Sequence, residues 1–301
     1  MFGKNTYILN GKKISLKEKR ELRSVGERIF LWALCVAFAI YTVTLFYPLI
    51  WTIVNSFKTP KEFLRNIYGM PQSPTIENFK TAITVRVGKA NIIDMFFNSV
   101  IVTVAALIIA LLECTMTGYI FSKYKFPGSK FIYSMMLVVM FLPIVGSTTG
   151  TFRFFVNTGL YDTRIGLILL YTGGFGGPFL YMYNFFESVS WEYAEAAMVD
   201  GASDWQIFFK VMFPQSIGMQ LAIAMMSFMG IYGDYTNPYL YTKSHPTLAV
   251  GIFTLSETLQ ARNLWPAAFA AMLVACVPTW IFYIATNTKM FNLKIDTGIK
   301  G

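Results

Sequence analysis

Six stretches of this chain are long and apolar enough to cross a lipid bilayer as helices: 29–54, 95–119, 131–151, 164–186, 214–235 and 264–287. A helix rises about 1.5 Å per residue and a hydrocarbon core is about 30 Å thick, so a span needs roughly 20 such residues. Inside lipid each backbone amide and carbonyl must find its partner within the protein, which leaves helices or closed barrels. Continuous apolar runs of this length select helices, and the expected fold is an all-α membrane protein with six transmembrane helices. Composition agrees, with 55% hydrophobic and 14% charged residues, against about 25% charged in an ordinary soluble domain.

The runs divide the chain into a basic N-terminal segment (1–28), a first helix (29–54), a long loop (55–94), a five-helix core (95–287) containing a polar loop at 190–214, and a tail (288–301). Eight of the 25 lysines and arginines lie between Lys4 and Arg28, immediately before the first apolar run. Basic flanks are retained in the cytoplasm, so the N-terminus is expected inside, as is the C-terminus after six crossings. Segments 120–130 and 187–213 then also face the cytoplasm, while 55–94, 152–163 and 236–263 face out. With Arg164 counted in the outer set, 15 basic residues fall inside and 10 outside. The first run is too long for a signal-peptide core and lacks an Ala-x-Ala site, so it is expected to remain uncleaved.

Several chemistries are disfavoured. The net charge of +9 reads as membrane topology, and no nucleic-acid partner is expected. Cys35, Cys114 and Cys276 lie in separate apolar stretches, with no disulfide framework or metal knuckle in their spacing, and read as small buried apolar residues. His245 is the only histidine, and no Gly-x-x-x-x-Gly-Lys-Ser/Thr loop occurs. No catalytic residue, metal or cofactor is expected on this chain. Any ATP and magnesium belong to a separate subunit.

Helix breakers interrupt the spans: Pro48, Pro143, Pro178, Pro214, Pro238 and Pro278, with Gly173, Gly174, Gly176 and Gly177 clustered in the fourth. Lipid tolerates such breaks where other helices or a wet cavity satisfy the freed backbone. They fit either a kinked bundle or a pathway that changes shape.

The loop between the fourth and fifth spans carries the sharpest local pattern. Ser190 is placed to cap a short helix whose Glu192 complements the positive dipole end, and Gly201 suits the left-handed position that closes it. Ser203 with Gln206 forms a capping box that opens a second helix toward Pro214. Tyr193, Ala196, Ala197 and Asp200 recur at helical spacing, giving a face with small residues at its centre. Such a face can sit in another protein's groove while Glu195 and Asp200 pair with basic residues at the rim.

The string Glu195-Ala196-Ala197, three residues, Gly201, nine residues, Val211-Met212-Phe213-Pro214 resembles the EAA loop of binding-protein-dependent ABC importer permeases. Val211 and Phe213 stand where that pattern has Ile and Leu. Tyr47-Pro48-Leu49-Ile50-Trp51, Ser56-Phe57-Lys58-Thr59-Pro60, Asn98-Ser99, Phe126-Pro127-Gly128, Asp162-Thr163-Arg164-Ile165-Gly166-Leu167 and Gly298-Ile299-Lys300-Gly301 extend the likeness and narrow it to carbohydrate permeases of the maltose-transporter kind. The resemblance implies the type-1 importer permease architecture in the bacterial cytoplasmic membrane. It also implies a second permease, a homologous chain or a second copy of this one, together with two copies of an ATPase subunit, an extracytoplasmic solute-binding protein and membrane lipid around the spans. It assigns Glu195, Ala196, Ala197, Asp200, Gly201 and Ala202 to the helix that docks on the ATPase, and Lys300 and Gly301 to a tail that touches it.

Ionisable groups inside spans are costly and point to function. Glu113 in the second span and Asp234 near the outer end of the fifth are the two such residues, the latter within Tyr232-Gly233-Asp234-Tyr235-Thr236-Asn237. Carboxylates and amides grip sugar hydroxyls and aromatic rings cover sugar C–H faces, so Asp234, Tyr235, Asn237, Tyr232 and Glu113 are the candidate substrate path. Glu113 also fits a bond between helices. The loop pattern is shared by importers of peptides, amino acids, phosphate esters and polyamines, so the sugar reading rests on the flanking likenesses. An ion-coupled secondary transporter would need more midplane ionisable groups than Glu113 supplies.

Overall fold

The computed structural model describes residues 6–9, 12–15, 25–84, 86–87, 90–141, 147–173 and 176–297. Strands β1 (Thr6–Leu9) and β2 (Lys12–Ser15) pair as an antiparallel hairpin ahead of the first helix. A second small hairpin pairs β3 (Arg86–Val87) with β4 (Ala90–Asn91). The remaining described elements are helices.

Helix α1 (Val25–Ser56) is apolar throughout, and no residue of its most apolar 18-residue window is buried. It meets the rest of the chain at its C-terminal end, where the Trp51 ring stands edge-on to Phe63 and Phe269 at centroid distances of 6.2 and 5.0 Å. Below this contact lies a fixed polar turn. The Asn78 amide donates to the carbonyls of Ser56 and Lys58, both at 2.7 Å. Lys58 is wholly buried, and its ammonium donates to the carbonyls of Asn66 (2.8 Å) and Ile67 (3.2 Å). Those carbonyls end α2 (Pro60–Arg65), which Thr59 caps at its start. A cation at a helix C-terminus complements both the orphan carbonyls and the dipole. Helix α3 (Glu77–Thr84) follows and packs on the last helix of the chain.

Helix α4 (Ile92–Lys123) is the central pillar, opened by a reciprocal capping box of Asn91 and Asp94. Asn98 and Ser99 near its start explain one sequence likeness. The Asn98 amide donates to the Pro246 carbonyl at 3.2 Å, and the Ser99 hydroxyl accepts from the Leu248 amide at 2.6 Å. They fasten α13 (Leu248–Ala261), an apolar helix of 14 residues too short to cross alone. Sequence reading placed this stretch within the outward-facing segment 236–263 and assigned no helix to it.

The third and fourth apolar runs are each two helices: α5 (Ser129–Phe141) with α6 (Ser147–Asn157), and α7 (Arg164–Tyr171) with α8 (Gly177–Ser188). Pro178 at the start of α8, beside Gly176 and Gly177, sets the second break; Pro143 and Gly174 lie outside the described residues. The fifth run is α10 (Asp204–Gln215) joined to α11 (Ile217–Gly233) at a 70° bend. Residues Ile207–Met212 within α10 form a π-helical turn. Pro214 has no amide proton, and its ring crowds the carbonyl four residues back, so the wider turn precedes it. At the bend the Phe213 carbonyl accepts from the Ser216 hydroxyl (2.8 Å) and the Gln220 amide (3.2 Å). Helix α12 (Thr236–Tyr241) and the long α14 (Trp265–Thr297) complete the chain. Among the described residues α1, α4 and the Trp265–Thr288 part of α14 are long and apolar enough to span, and α10 and α11 reach that length only as a bent pair.

Cys114 is buried and Cys276 half-buried, as their apolar settings suggested. Cys35 is exposed, because α1 has no protein partner along that stretch.

Candidate functional site

The end of α4 at Lys123 holds the elbow singled out in the sequence. The Lys123 ammonium donates to the Val189 carbonyl at 2.6 Å, tying α4 to the chain leaving α8. Ser190 accepts from the Glu192 amide at 3.3 Å as α9 (Glu192–Val199) begins. Ala194 is fully buried in a cluster with Tyr119, Met182, Phe186, Ile207 and Phe208, which seats α9 on the bundle.

Helix α9 ends in a Schellman pattern. The Ala202 amide donates to the Ala197 carbonyl and the Gly201 amide to the Met198 carbonyl, each at 3.0 Å. Gly201 has φ of 79°, the left-handed conformation that glycine adopts without strain. Ser203 and Gln206 then form the expected capping box at the start of α10.

The register of α9 differs in part from the expected docking face. Ala197 and Ala202 turn inward, half-buried against the core cluster. Tyr193, Glu195, Ala196, Val199 and Asp200 are exposed, with Val199 at 88%. Ala194 supplies the helix's inner contact, so helical spacing alone did not reveal which alanine faces in. Lys300 and Gly301 lie outside the described residues.

At the other end of the bundle Asp234 closes α11. Its carboxylate accepts from the Tyr171 hydroxyl (2.8 Å), the Thr236 amide (2.8 Å), the Asn237 amide (3.3 Å) and the Asn237 side chain (2.7 Å). The group thus caps α12 and holds the end of α7. Tyr235 is 45% exposed and stacks on Phe253 at 4.7 Å. Tyr232 is buried, and its hydroxyl donates to the Ala275 carbonyl at 3.3 Å. Glu113 is half-buried in the C-terminal half of α4, outside this network. The structure therefore joins Asp234 with Asn237 and adds Tyr171, which sequence reading missed. Asp followed by Thr and Asn two and three positions on is itself a capping signal; Tyr171 comes from a distant segment and has none.

Asp162 is a second residue of this end, known from the sequence only as part of a family likeness. It adopts φ of 59°, and its carboxylate accepts from the Ser244 amide at 2.7 Å and the Ser244 hydroxyl at 2.6 Å. Its own amide donates to the Tyr241 carbonyl at 2.9 Å. Burial pushes its carboxyl up, but the Ser244 and Lys243 hydrogen bonds and the nearby His245 outweigh that and hold it below the usual carboxylate range. A depressed carboxyl stabilises the fold above its unfolded value of about 3.9 and loses that contribution as pH falls through the folded value. Asn tolerates the left-handed backbone, so Asp162→Asn isolates the charge. The variant is expected to unfold slightly earlier than wild type at pH 7, with the gap closing below about pH 4 in thermal melts.

The model for the family of binding-protein-dependent transport system inner membrane components matches residues 91–293. A diacetylchitobiose uptake system permease of Streptomyces coelicolor is 32% identical over 255 residues, covering 83% of each chain. A galactooligosaccharides transport system permease of Bacillus subtilis is 29% identical over 268 residues, covering 87% of this chain and 93% of its own. A maltose/maltodextrin transport system permease of Vibrio vulnificus is 25% identical over 289 residues, covering 90% and 96%. Among solved structures, a bacterial ABC transporter that imports the acidic polysaccharide alginate superposes with a TM-score of 0.76 at 18% identity, over 89% of this chain and 98% of that one.

Proposed function

Because the chain belongs to the binding-protein-dependent transport system inner membrane components, we propose that it forms half of the translocation path of an ATP-driven importer for a sugar or oligosaccharide. The observation that carries this reading is the elbow at 190–206. A short helix held by Ala194, closed at Gly201 and followed by a capped second helix presents a rigid, exposed face at the end of the bundle. A rigid projection passes force in a way that a floppy connector cannot.

In this reading the elbow is cytoplasmic, in keeping with the basic N-terminal segment, and docks on an ATPase subunit that binds ATP and magnesium. Closure of two ATPases carries two elbows with it and tilts α8 and α10 with α11, opening the permease pair outward. The soluble binding protein then releases sugar into the cavity. The unburied length of α1 offers a surface for lipid and for the second, homologous permease. Tyr235 offers its ring to sugar C–H faces, Asp234 and Asn237 fix the shape of the mouth, and Tyr232 and Glu113 belong to the walls. Support for a saccharide comes from the relatives above, whose names are those of saccharide permeases.

Reconstitution tests the reading. Vesicles carrying this chain alone should not accumulate saccharide under a proton or sodium gradient. Adding the partner permease, ATPase and binding protein should give uptake that follows ATP. Gradient-driven uptake by the chain alone would overturn the proposal.

A further inference from the structure

A cavity of about 300 Å³ opens beside the elbow, between α4 and the start of α10, lined by Met116, Tyr119, Tyr124, Asp204, Trp205 and Phe208 among others. Its walls are aromatic. Tyr119 stands edge-on to Tyr124 at 5.6 Å and tilted against Phe208 at 5.2 Å, while Trp205 is 63% exposed at the rim. One carboxylate serves it. Tyr124 donates its hydroxyl to Asp204 Oδ1 at 3.3 Å, and the Tyr119 hydroxyl lies 3.4 Å from that of Tyr124. No described lysine or arginine pairs with Asp204.

Aromatic faces attract a cation through their quadrupoles, and a carboxylate at the rim fixes its position. We propose that this cavity is a cage for one lysine or arginine side chain of the ATPase subunit, a second anchor across the Gly201 turn from α9. The inference rests on the functional reading above. Its volume is at the bottom of the range for small-molecule pockets, about 300–1,000 Å³, which suits one side chain better than a saccharide. Charge selects the occupant. Residues 187–213 hold Glu187, Glu192, Glu195, Asp200 and Asp204 against Lys210, and even with Lys123 and Lys125 beside Tyr124 the surround stays net acidic, a field that favours a basic protein surface and disfavours a phosphate-bearing lipid head.

Two measurements decide it. In the detergent-solubilised chain labelled with 5-fluorotryptophan, with the Trp205 resonance assigned from Trp205→Phe, N-acetyl-arginine amide should shift that resonance saturably. The apparent affinity should fall about tenfold in Asp204→Asn and be largely kept in Asp204→Glu. An equal shift in wild type and Asp204→Asn overturns the cage. In the reconstituted complex, Asp204→Asn and Trp205→Leu should each weaken ATPase binding about tenfold. If ATPase binds wild type and both variants alike, the cage falls while the functional reading stands; if it does not bind wild type, the functional reading itself falls. Phosphatidylethanolamine retained on wild type in native mass spectrometry and lost in Asp204→Asn, with ATPase affinity unchanged, would assign the cavity to lipid and overturn the proposal.

Discussion

Gly201→Val is expected to abolish association with the ATPase while the chain still inserts into the membrane. A Cβ added at Gly201 meets nothing within 4 Å, so the effect is not a clash with neighbours. It is conformational: an L-residue held at φ of 79° carries a cost of about 1–3 kcal/mol, greatest for a β-branched side chain. The short α9 has little to set against that. Its end is fixed by the two 3.0 Å bonds from Gly201 and Ala202, and both are lost if the turn relaxes. Release of the turn uncouples the direction of α9 from that of α10 without disturbing α4 or α14, which sustain insertion. Asn occupies the left-handed region with little strain. Co-purification should therefore decline in the order Asn, Ala, Val, and wild-type ATPase binding by Gly201→Val would remove the elbow from the coupling role.

The contrast with Asp162→Asn shows what a residue's place in the chain reveals. Gly201 was legible because a left-handed closure, a Ser cap and a capping box are all written within about fifteen residues of one another. Local chemistry of that kind does not depend on the rest of the molecule. Asp162 holds Ser244, which is 82 residues away in sequence, and nothing near either residue announces the pairing. Tyr171 and Asp234 are 63 residues apart and equally silent. Of the donors to Asp234, Thr236 and Asn237 are legible as a local capping pattern, and only the Tyr171 hydroxyl is hidden from the sequence.

Helical periodicity has a similar limit. It grouped Tyr193, Ala196, Ala197 and Asp200 on one side of α9, but the side that turns inward is chosen by the cavity that accepts Ala194 between Phe186, Ile207 and Phe208. Hydropathy marked the apolar runs and could not say that the third, fourth and fifth of them are broken helices. Breaks at Pro214 and around Gly176 are stable only because Gln220, Ser216 and the neighbouring helices take up the freed groups. The 14-residue α13 was missed because its length is wrong for a span, although Leu248, Val250, Leu255 and Leu259 are buried.

One exchange made at two positions should have opposite effects. Gly118 lies where α4 crosses α8, and a Cβ there would stand 2.7 Å from the Met182 Cβ and 2.9 Å from the Tyr183 amide nitrogen. Neither atom is the free end of a flexible side chain, so Gly118→Ala must push the two helices apart. Overpacking of this kind costs about 1–3 kcal/mol. Gly150 lies within α6, where an added Cβ meets nothing within 4 Å. Gly150→Ala should gain about 0.5–1 kcal/mol from the reduced freedom of the unfolded chain. Thermal unfolding in detergent should separate the two variants by several degrees, at about 2–4 °C per kcal/mol for a chain of moderate size. The displacement at Gly118 also reaches the elbow: Met182 belongs to the cluster that seats Ala194, and α8 leads through Val189 into α9. Gly118→Ala should therefore weaken ATPase coupling beyond its loss of stability, and Gly150→Ala should leave coupling untouched. Equal melting of Gly118→Ala and wild type would mean that α4 and α8 do not cross as closely as the structure has them.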